Sequence, residues 1–225
     1  MALRLVQVNL KARDDEAVGR FWAEALGWNA GGAHDGATSV TPEGFRWPDS
    51  HDVVLDVIRV PDPETVRHRV HIDLATTSER HQRELVARLI GLGATPADIG
   101  QGDVPWTVLA DPEGNLFCVL EPREVYRDTG PIAAVVVDCA EPRRFWTEAL
   151  GWTAETLTDD FVRMRRADTG PYLEFSRNDG DLRHRSHLDL VGDIEPLLAL
   201  GATVVNSDFR WTVLADPEGQ EFCLL

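Results

Sequence analysis

Lysine is almost missing from this chain. Lys11 stands alone among 22 basic residues, the rest being arginine. Condensation of a buried lysine with a carbonyl is therefore nearly excluded, because Lys11 sits in a polar stretch beside Arg13 and Asp14. Cysteine is scarce as well. Cys118, Cys139 and Cys223 make an odd number without CxxC spacing, which argues against a secreted disulfide framework and against a structural zinc site. No apolar run reaches the ~18 residues that a membrane span needs. The opening MALRLVQVNL lacks the basic region, apolar stretch and cleavage site of a secretory signal, so a cytoplasmic location is expected. Positive charge is short: 38 acidic residues against 22 basic ones give −16 at pH 7. Phosphate backbones and anionic membranes both call for clustered positive charge, so neither nucleic acid nor membrane is an expected partner. A glycine-rich phosphate loop, GxSxG and HExxH are all lacking, which leaves nucleophilic catalysis by serine unsupported.

What the chain does have is a duplicated text. WTVLADPEG occupies 106–114 and again 211–219; FWAEALGW at 21–28 returns as FWTEALGW at 145–152; RVHIDL at 69–74 returns as RSHLDL at 185–190. Three blocks in the same order, twice, mean a tandem repeat of a domain of about 100 residues. The copies run over about 1–121 and 131–225. The join Glu121–Pro131 is polar and bracketed by prolines.

Each copy contains the same plan twice. Leu5–Leu10 alternates as a strand. Asp14 and Asp15 then supply a helix cap, Ala17, Val18, Phe21, Trp22, Ala25 and Leu26 follow helical spacing, and Gly27 ends the run. Three strand-like stretches follow. Val70–Leu74 begins the second round, and Ser78 caps a helix carrying Leu85, Val86, Leu89 and Ile90. In the second copy the corresponding helix, near Ile194–Leu200 and capped by Asp193, has room for about two turns. Asp111-Pro-Glu-Gly114 and its twin at 216–219 have Pro and Gly where a tight turn uses them. The reading is an α+β fold: two βαβββ modules per copy, curling a mixed sheet into a concave ligand face.

FWxEALGW after a first strand, RxHxDL opening the second half, LGAT after the second helix and WTVLADPEGNxFCVL at the end resemble the vicinal oxygen chelate superfamily. It includes glyoxalases, bleomycin-resistance-type binding proteins and extradiol dioxygenases. The resemblance covers nearly the whole chain, once per copy. It implies a divalent metal on the concave face, with ligands from the first, fourth, fifth and last strands of a domain. That places Gln7, Asp56, His71 and Cys118 together in the first copy, and Ala134, Glu174, His187 and Cys223 in the second. Gln7, Asp56 and His71 are the candidate ligands for such an ion (Zn, Ni, Mn or Fe). The superfamily's metalloenzymes carry Glu at the last position, where this chain has cysteine among apolar neighbours. Cys118 therefore reads as a small core residue. Ala134 cannot ligate, and an extradiol dioxygenase, which needs two His and a carboxylate, is not supported.

Arg69, His71 and Asp73 share one strand face, as do Arg185, His187 and Asp189. Either Arg and Asp satisfy each other in a polar ladder, or His71 and His187 point into a cavity. Trp22 and Trp146 fall on apolar helix stripes and read as core. Trp28, Trp106, Trp152 and Trp211 are strand-borne candidates for a cavity wall, and Phe45 and Trp47 for a lid or a plug. Asp35, Asp52, Asp159 and Asp160 read as solvated surface. The leading expectation is a glyoxalase-like protein that binds an apolar or aromatic metabolite between tryptophans, in a resistance or sequestering role. The ligand-binding residues would be His71, Trp28, Trp47, Trp106, Glu174, His187, Trp152 and Trp211. The alternative is a metal-dependent lyase or isomerase with its site in the first copy and Asp56 moving a proton through an enolate. A third reading is an interaction module without a pocket. One chain with two paired copies can stand as a monomer or form a homodimer.

Overall fold

The computed structural model describes residues 3–34, 36–47, 53–63, 69–140, 145–178 and 185–225; Asp35 and Asp52 lie outside them. Four βαβββ modules follow one another. The first is β1 (Arg4–Ala12), α1 (Asp15–Leu26), β2 (Asn29–His34), β3 (Ala37–Thr41) and β4 (Val54–Arg59). The second is β5 (Val70–Leu74), α2 (Glu79–Gly91), β6 (Thr95–Pro96), β7 (Thr107–Ala110) and β8 (Leu116–Val119). The third is β9 (Ile132–Cys139), α3 (Phe145–Leu150), β10 (Thr153–Leu157), β11 (Phe161–Arg165) and β12 (Tyr172–Arg177). The fourth is β13 (Ser186–Val191), α4 (Glu195–Ala199), β14 (Thr203–Asn206), β15 (Thr212–Ala215) and β16 (Glu221–Leu224). The fold is the expected mixed α+β arrangement, its strands joined in one curled sheet.

Local chemistry explains the elements. Asp14 caps α1 by accepting from the Ala17 N–H at 2.9 Å, and Gly27 closes it in the left-handed region at φ 71°. Ser78 caps α2 by accepting from the His81 N–H at 3.1 Å. α4 is short as anticipated, only five residues, but Asp193 does not cap it: the helix starts after Ile194 with no side-chain cap and a proline in its first turn. The helices bury their apolar stripes on the convex face. There Trp22 packs edge-on to Phe117 with ring centroids 5.0 Å apart, and Trp146 to Phe222 at 5.1 Å. Each indole N–H donates to the turn aspartate of its own copy, Trp22 to Asp111 at 3.1 Å and Trp146 to Asp216 at 3.0 Å. The WTVLADPEG turn therefore fixes helix to sheet as well as joining two strands.

The concave side is organised differently. Within every module the first and last strands lie parallel, β1 on β4, β5 on β8, β9 on β12 and β13 on β16. Between modules, β1 pairs antiparallel with β13, and β5 with β9. The first module thus shares its concave surface with the fourth, and the second with the third. A single pairing of Val70 with Ser186 links the two halves. The aromatic rings beneath the helices pack within each copy, but one core runs through both, and the copies exchange strands across the concave face.

Candidate functional site

Two hollows result, each floored by strands from both copies. Cavity A, about 550 Å³, is lined by Gln7, Asn9 and Lys11 of β1, Ser39 of β3, Asp56 of β4, His187 and Asp189 of β13, and Cys223 of β16, with Phe45, Trp47 and Trp211 around them. Cavity B, about 260 Å³, is lined by His71 and Asp73 of β5, Cys118 of β8, Val136 and Asp138 of β9, and Glu174 of β12, with Trp106, Arg123 and Phe161.

This partition corrects the site expected from the sequence. Gln7 and Asp56 do not meet His71; they meet His187, because β1 takes β13 as its neighbour and not β5. Likewise Glu174 stands with His71, not with His187. Trp47 and Trp211 line cavity A, and Trp106 lines cavity B. Trp28 and Trp152 do neither. They pack, partly buried, against the helix-side core, since each follows the glycine that ends its helix and precedes the next strand. Asp159 and Asp160 are exposed as anticipated.

The polar floor of cavity A is closely paired. Asp189, buried, accepts from the Gln7 amide at 2.7 Å and from the Asn9 amide. Asp56 accepts from the same Gln7 nitrogen at 3.1 Å and from the Ser39 hydroxyl at 2.6 Å. His187 Nε2 lies 3.1 Å from Asp189 Oδ1 and 3.4 Å from Cys223 Sγ. Burial and the nearby Asp189 push the Cys223 thiol up to about 12. Burial pulls the Lys11 ammonium below its usual range even though Asp189, Cys223, Asp56 and Glu221 favour its charge. This corrects the expectation that Lys11 sits in a polar stretch unable to host carbonyl condensation, which follows from ending the strand at Leu10. The strand continues to Ala12, and the period of two carries Lys11 onto the face of Gln7 and Asn9. The same period, applied to Gln7, would have found Asn9.

Cavity B has the same strand positions with other residues. Register equates Gln7, Asn9 and Asp56 with Ala134, Val136 and Glu174. Glu174 accepts from the Arg163 guanidinium at 2.6 Å and from the Tyr126 hydroxyl at 2.8 Å; burial still holds its carboxyl above the usual range. Tyr126 comes from the polar, proline-bracketed join between the copies. The available signal was the inward-pointing carboxylate itself, which once buried demands a cation, with Arg163 and Arg165 alternating on the neighbouring strand. His71 lies 3.5 Å from Asp73 through Nε2 and 3.5 Å from Asp138 through Nδ1. Burial alone would lower its pKa, but the Asp138 hydrogen bond and the charges of Asp73 and Asp138 carry it upward. The expected Arg–Asp ladder is replaced: Arg69 donates to the Asn178 carbonyl at 3.2 Å and Arg185 to the Glu113 carbonyl at 2.5 Å.

The four-strand metal position does not suit a divalent ion in either cavity. In A the Gln7 NH₂ is turned toward two carboxylates, so it donates where a ligand must accept. In B Ala134 offers no donor atom and Glu174 is neutralised by Arg163. Smaller clusters remain at equivalent places: His71, Asp73 and Cys118, and His187, Asp189 and Cys223, each with ligand atoms within 4.8 Å of one another. In A, Lys11 faces this cluster, whose Asp189 is already taken up by the Gln7 and Asn9 amides. In B, Asp138 stands behind His71 Nδ1 while Nε2 faces Asp73, and a carboxylate so placed orients the imidazole for an ion. The B cluster is the one suited to a divalent ion, which would have to displace the proton that burial and Asp73 hold on Cys118.

The chain resembles solved structures over nearly its full length. Glyoxalase I from Zea mays superposes with a TM-score of 0.66 at 15% identity, covering 99% of this chain and 92% of that one. A candidate dioxygenase from Bacillus subtilis gives 0.59 at 12% identity, covering 99% and 84%. At such identities the likeness concerns the fold. Comparison with curated proteins finds no match. The profile of the glyoxalase-like domain matches residues 7–120 and again 134–225. With both matches falling on the βαβββ pairs described above, the chain belongs to the glyoxalase-like domain family of the vicinal oxygen chelate superfamily and carries that domain twice.

Proposed function

We propose that this chain binds a small apolar or aromatic molecule in cavity A and serves as a sequestering or resistance protein. The observation that carries this reading is the contrast between wall and floor. Phe45 and Trp47 meet edge to face with ring centroids 6.4 Å apart, and Trp211 lies on the same cavity, stacked on Phe209 at 5.2 Å. Trp47 and Trp211 remain 49% and 40% exposed, so a flat guest would cover apolar surface that now meets water. Beneath them the amides, hydroxyl and carboxylates are mutually paired, as suits a pre-formed site that fixes orientation with few polar contacts. One chain supplies both walls of both cavities, so a monomer suffices, although a homodimer is compatible with this reading. No helix among the described residues is long and apolar enough to cross a membrane.

Titration of tryptophan fluorescence with planar arenes such as 2-naphthalenemethanol tests this. Quenching should saturate, and Trp47→Ala or Trp211→Ala should weaken binding by about tenfold or more, the scale of an aromatic anchor. No quenching up to millimolar arene would overturn the reading.

A second reading draws on Asp138 behind His71. A divalent ion held by His71, Asp73 and Cys118 would supply a Lewis acid for vicinal oxygens in a lyase or isomerase. Asp138 would orient the imidazole, and Arg123 would offer positive charge at the cavity wall. Metal analysis of protein purified without chelator, beside His71→Ala, tests it. Less than about a tenth of an equivalent removes it, since a working site of this kind holds its ion tightly.

A further inference from the structure

We propose that cavity A captures carbonyl compounds covalently, with Lys11 condensing with an aldehyde or ketone to form a Schiff base; this rests on cavity A being a ligand site. The chain has one lysine, and it lies at the floor of the larger cavity. Its backbone is held on both sides, by pairing with Ile58 of β4 and by the Lys11 N–H donating to the Arg185 carbonyl at 3.1 Å. The side chain therefore leaves the sheet on the face of Gln7 and Asn9, toward Asp56, Asp189 and Cys223, beneath Phe45, Trp47 and Trp211.

An ammonium there could serve instead to attract an anionic ligand. The surroundings argue against it. Asp56, Asp189 and Glu221 already outnumber the single cation, so the site has no surplus positive charge. Burial works toward the unprotonated amine against the pull of these acidic neighbours, and that amine, held on the cavity floor beneath the aromatic rim, is the nucleophile toward carbonyl carbon. The step balances without oxidant or reductant. The Nζ lone pair adds to the carbonyl carbon, and one nitrogen proton passes to the resulting alkoxide to give a carbinolamine. The C–O bond then breaks as the second nitrogen proton joins that hydroxyl, so water leaves and C=N remains. Groups able to carry the proton, His187 with Asp189 beside it and Asp56, line the same floor. The aromatic rim selects an arene or other flat apolar body attached to the carbonyl.

The test uses 2-naphthaldehyde with cyanoborohydride at neutral pH, read by intact mass and peptide mapping, with 2-naphthalenemethanol as the guest that lacks a carbonyl. Because Lys11 is the sole lysine, side-chain labelling has one possible address, distinguishable from the amino terminus. One adduct should form at Lys11, about tenfold or more faster than in the same chain unfolded in denaturant, the least that a pre-positioned amine should gain. Lys11→Met, checked for native circular dichroism, should lose the side-chain adduct. If the alcohol quenches tryptophan fluorescence but Lys11 reacts no faster than in the unfolded chain, covalent capture is overturned and the binding reading stands. If neither compound quenches and no adduct forms, both fall.

Discussion

Replacing Asp189 by Ala should damage this protein far more than replacing Asp73, its counterpart in the other copy. The two aspartates occupy equivalent positions, each opposite a cysteine on the last strand of its half. Their neighbours across the copy boundary differ. Asp189 accepts from the Gln7 amide at 2.7 Å and from the Asn9 amide, both on β1. Asp73 meets Ala134 by register and has no amide there. Hydrogen bonds to a buried charge contribute about 1.5–3 kcal/mol each, and truncation also strands the donors. The expected loss for Asp189→Ala is about 3–5 kcal/mol, the range for breaking a buried charged network. A domain of this size melts about 2–4 °C lower per kcal/mol, so the drop is about 6–20 °C.

Asp73 runs the other way. Burial holds its carboxyl above the usual range, more strongly than His71 and Cys118 lower it. A carboxyl whose folded pKa exceeds its unfolded one opposes folding when ionised, above the folded value. That opposition fades as pH falls through the folded value toward the unfolded one. Asp73→Ala should therefore cost within about 1 kcal/mol at neutral pH, removal of an ill-solvated charge offsetting the small void. Its standing relative to the parent chain should worsen as the solution is acidified. Urea denaturation with chelator, across pH, measures both variants. If they differ by less than about 1 kcal/mol at neutral pH, the exchange of strands is not held by its amide clamp and the reasoning fails.

Two further outcomes are expected. A methyl group on Gly19 of α1 would strike the Thr38 side chain, which is buried and held by its hydroxyl donating to Asp15 at 2.9 Å; Gly19→Ala should destabilise by about 1–3 kcal/mol in thermal melts, against a typical small gain for that change in an open helix. Tyr126→Phe removes a donor from buried Glu174 and an acceptor from the Arg163 guanidinium, 3.1 Å away; it should cost about 1–2 kcal/mol in urea, and an unchanged midpoint would mean that Arg163 alone satisfies Glu174.

The fold was legible because local and repeated signals agreed. Asp14, Ser78 and Gly27 mark helix ends by chemistry that operates within a few residues, and three duplicated blocks align the modules without reference to contacts. The site was half legible. Every residue the resemblance placed at a metal position, from Gln7 to Cys223, does line one cavity or the other, apart from Ala134, which is buried in the small core beside cavity B. Their grouping was not legible, since RVHIDL and RSHLDL present the same alternation to any partner strand. Whether β1 chooses β5 or β13 is decided by long-range complementarity, here the fit of Gln7 and Asn9 to Asp189, which no periodicity encodes. Trp28 and Trp152 fail for a related reason: a residue between helix and strand has no parity, so its face cannot be read.

Strand exchange also explains how two copies with matching motifs come to hold unlike pockets. One wall of each cavity is built from the same pattern, His and Asp two apart with Cys beside them. The facing wall comes from the other copy's first module, where the copies have parted. Gln7, Asn9 and Lys11 face one cluster; Ala134, Val136 and Asp138 occupy the corresponding strand before the other. A carboxylate behind His71 favours a cation, whereas the equivalent position near His187 carries Lys11, so one residue at the same strand position separates the two clusters. Pairing each copy's first module with the other copy's second module lets one wall stay fixed by the motif while the other sets what the cavity accepts.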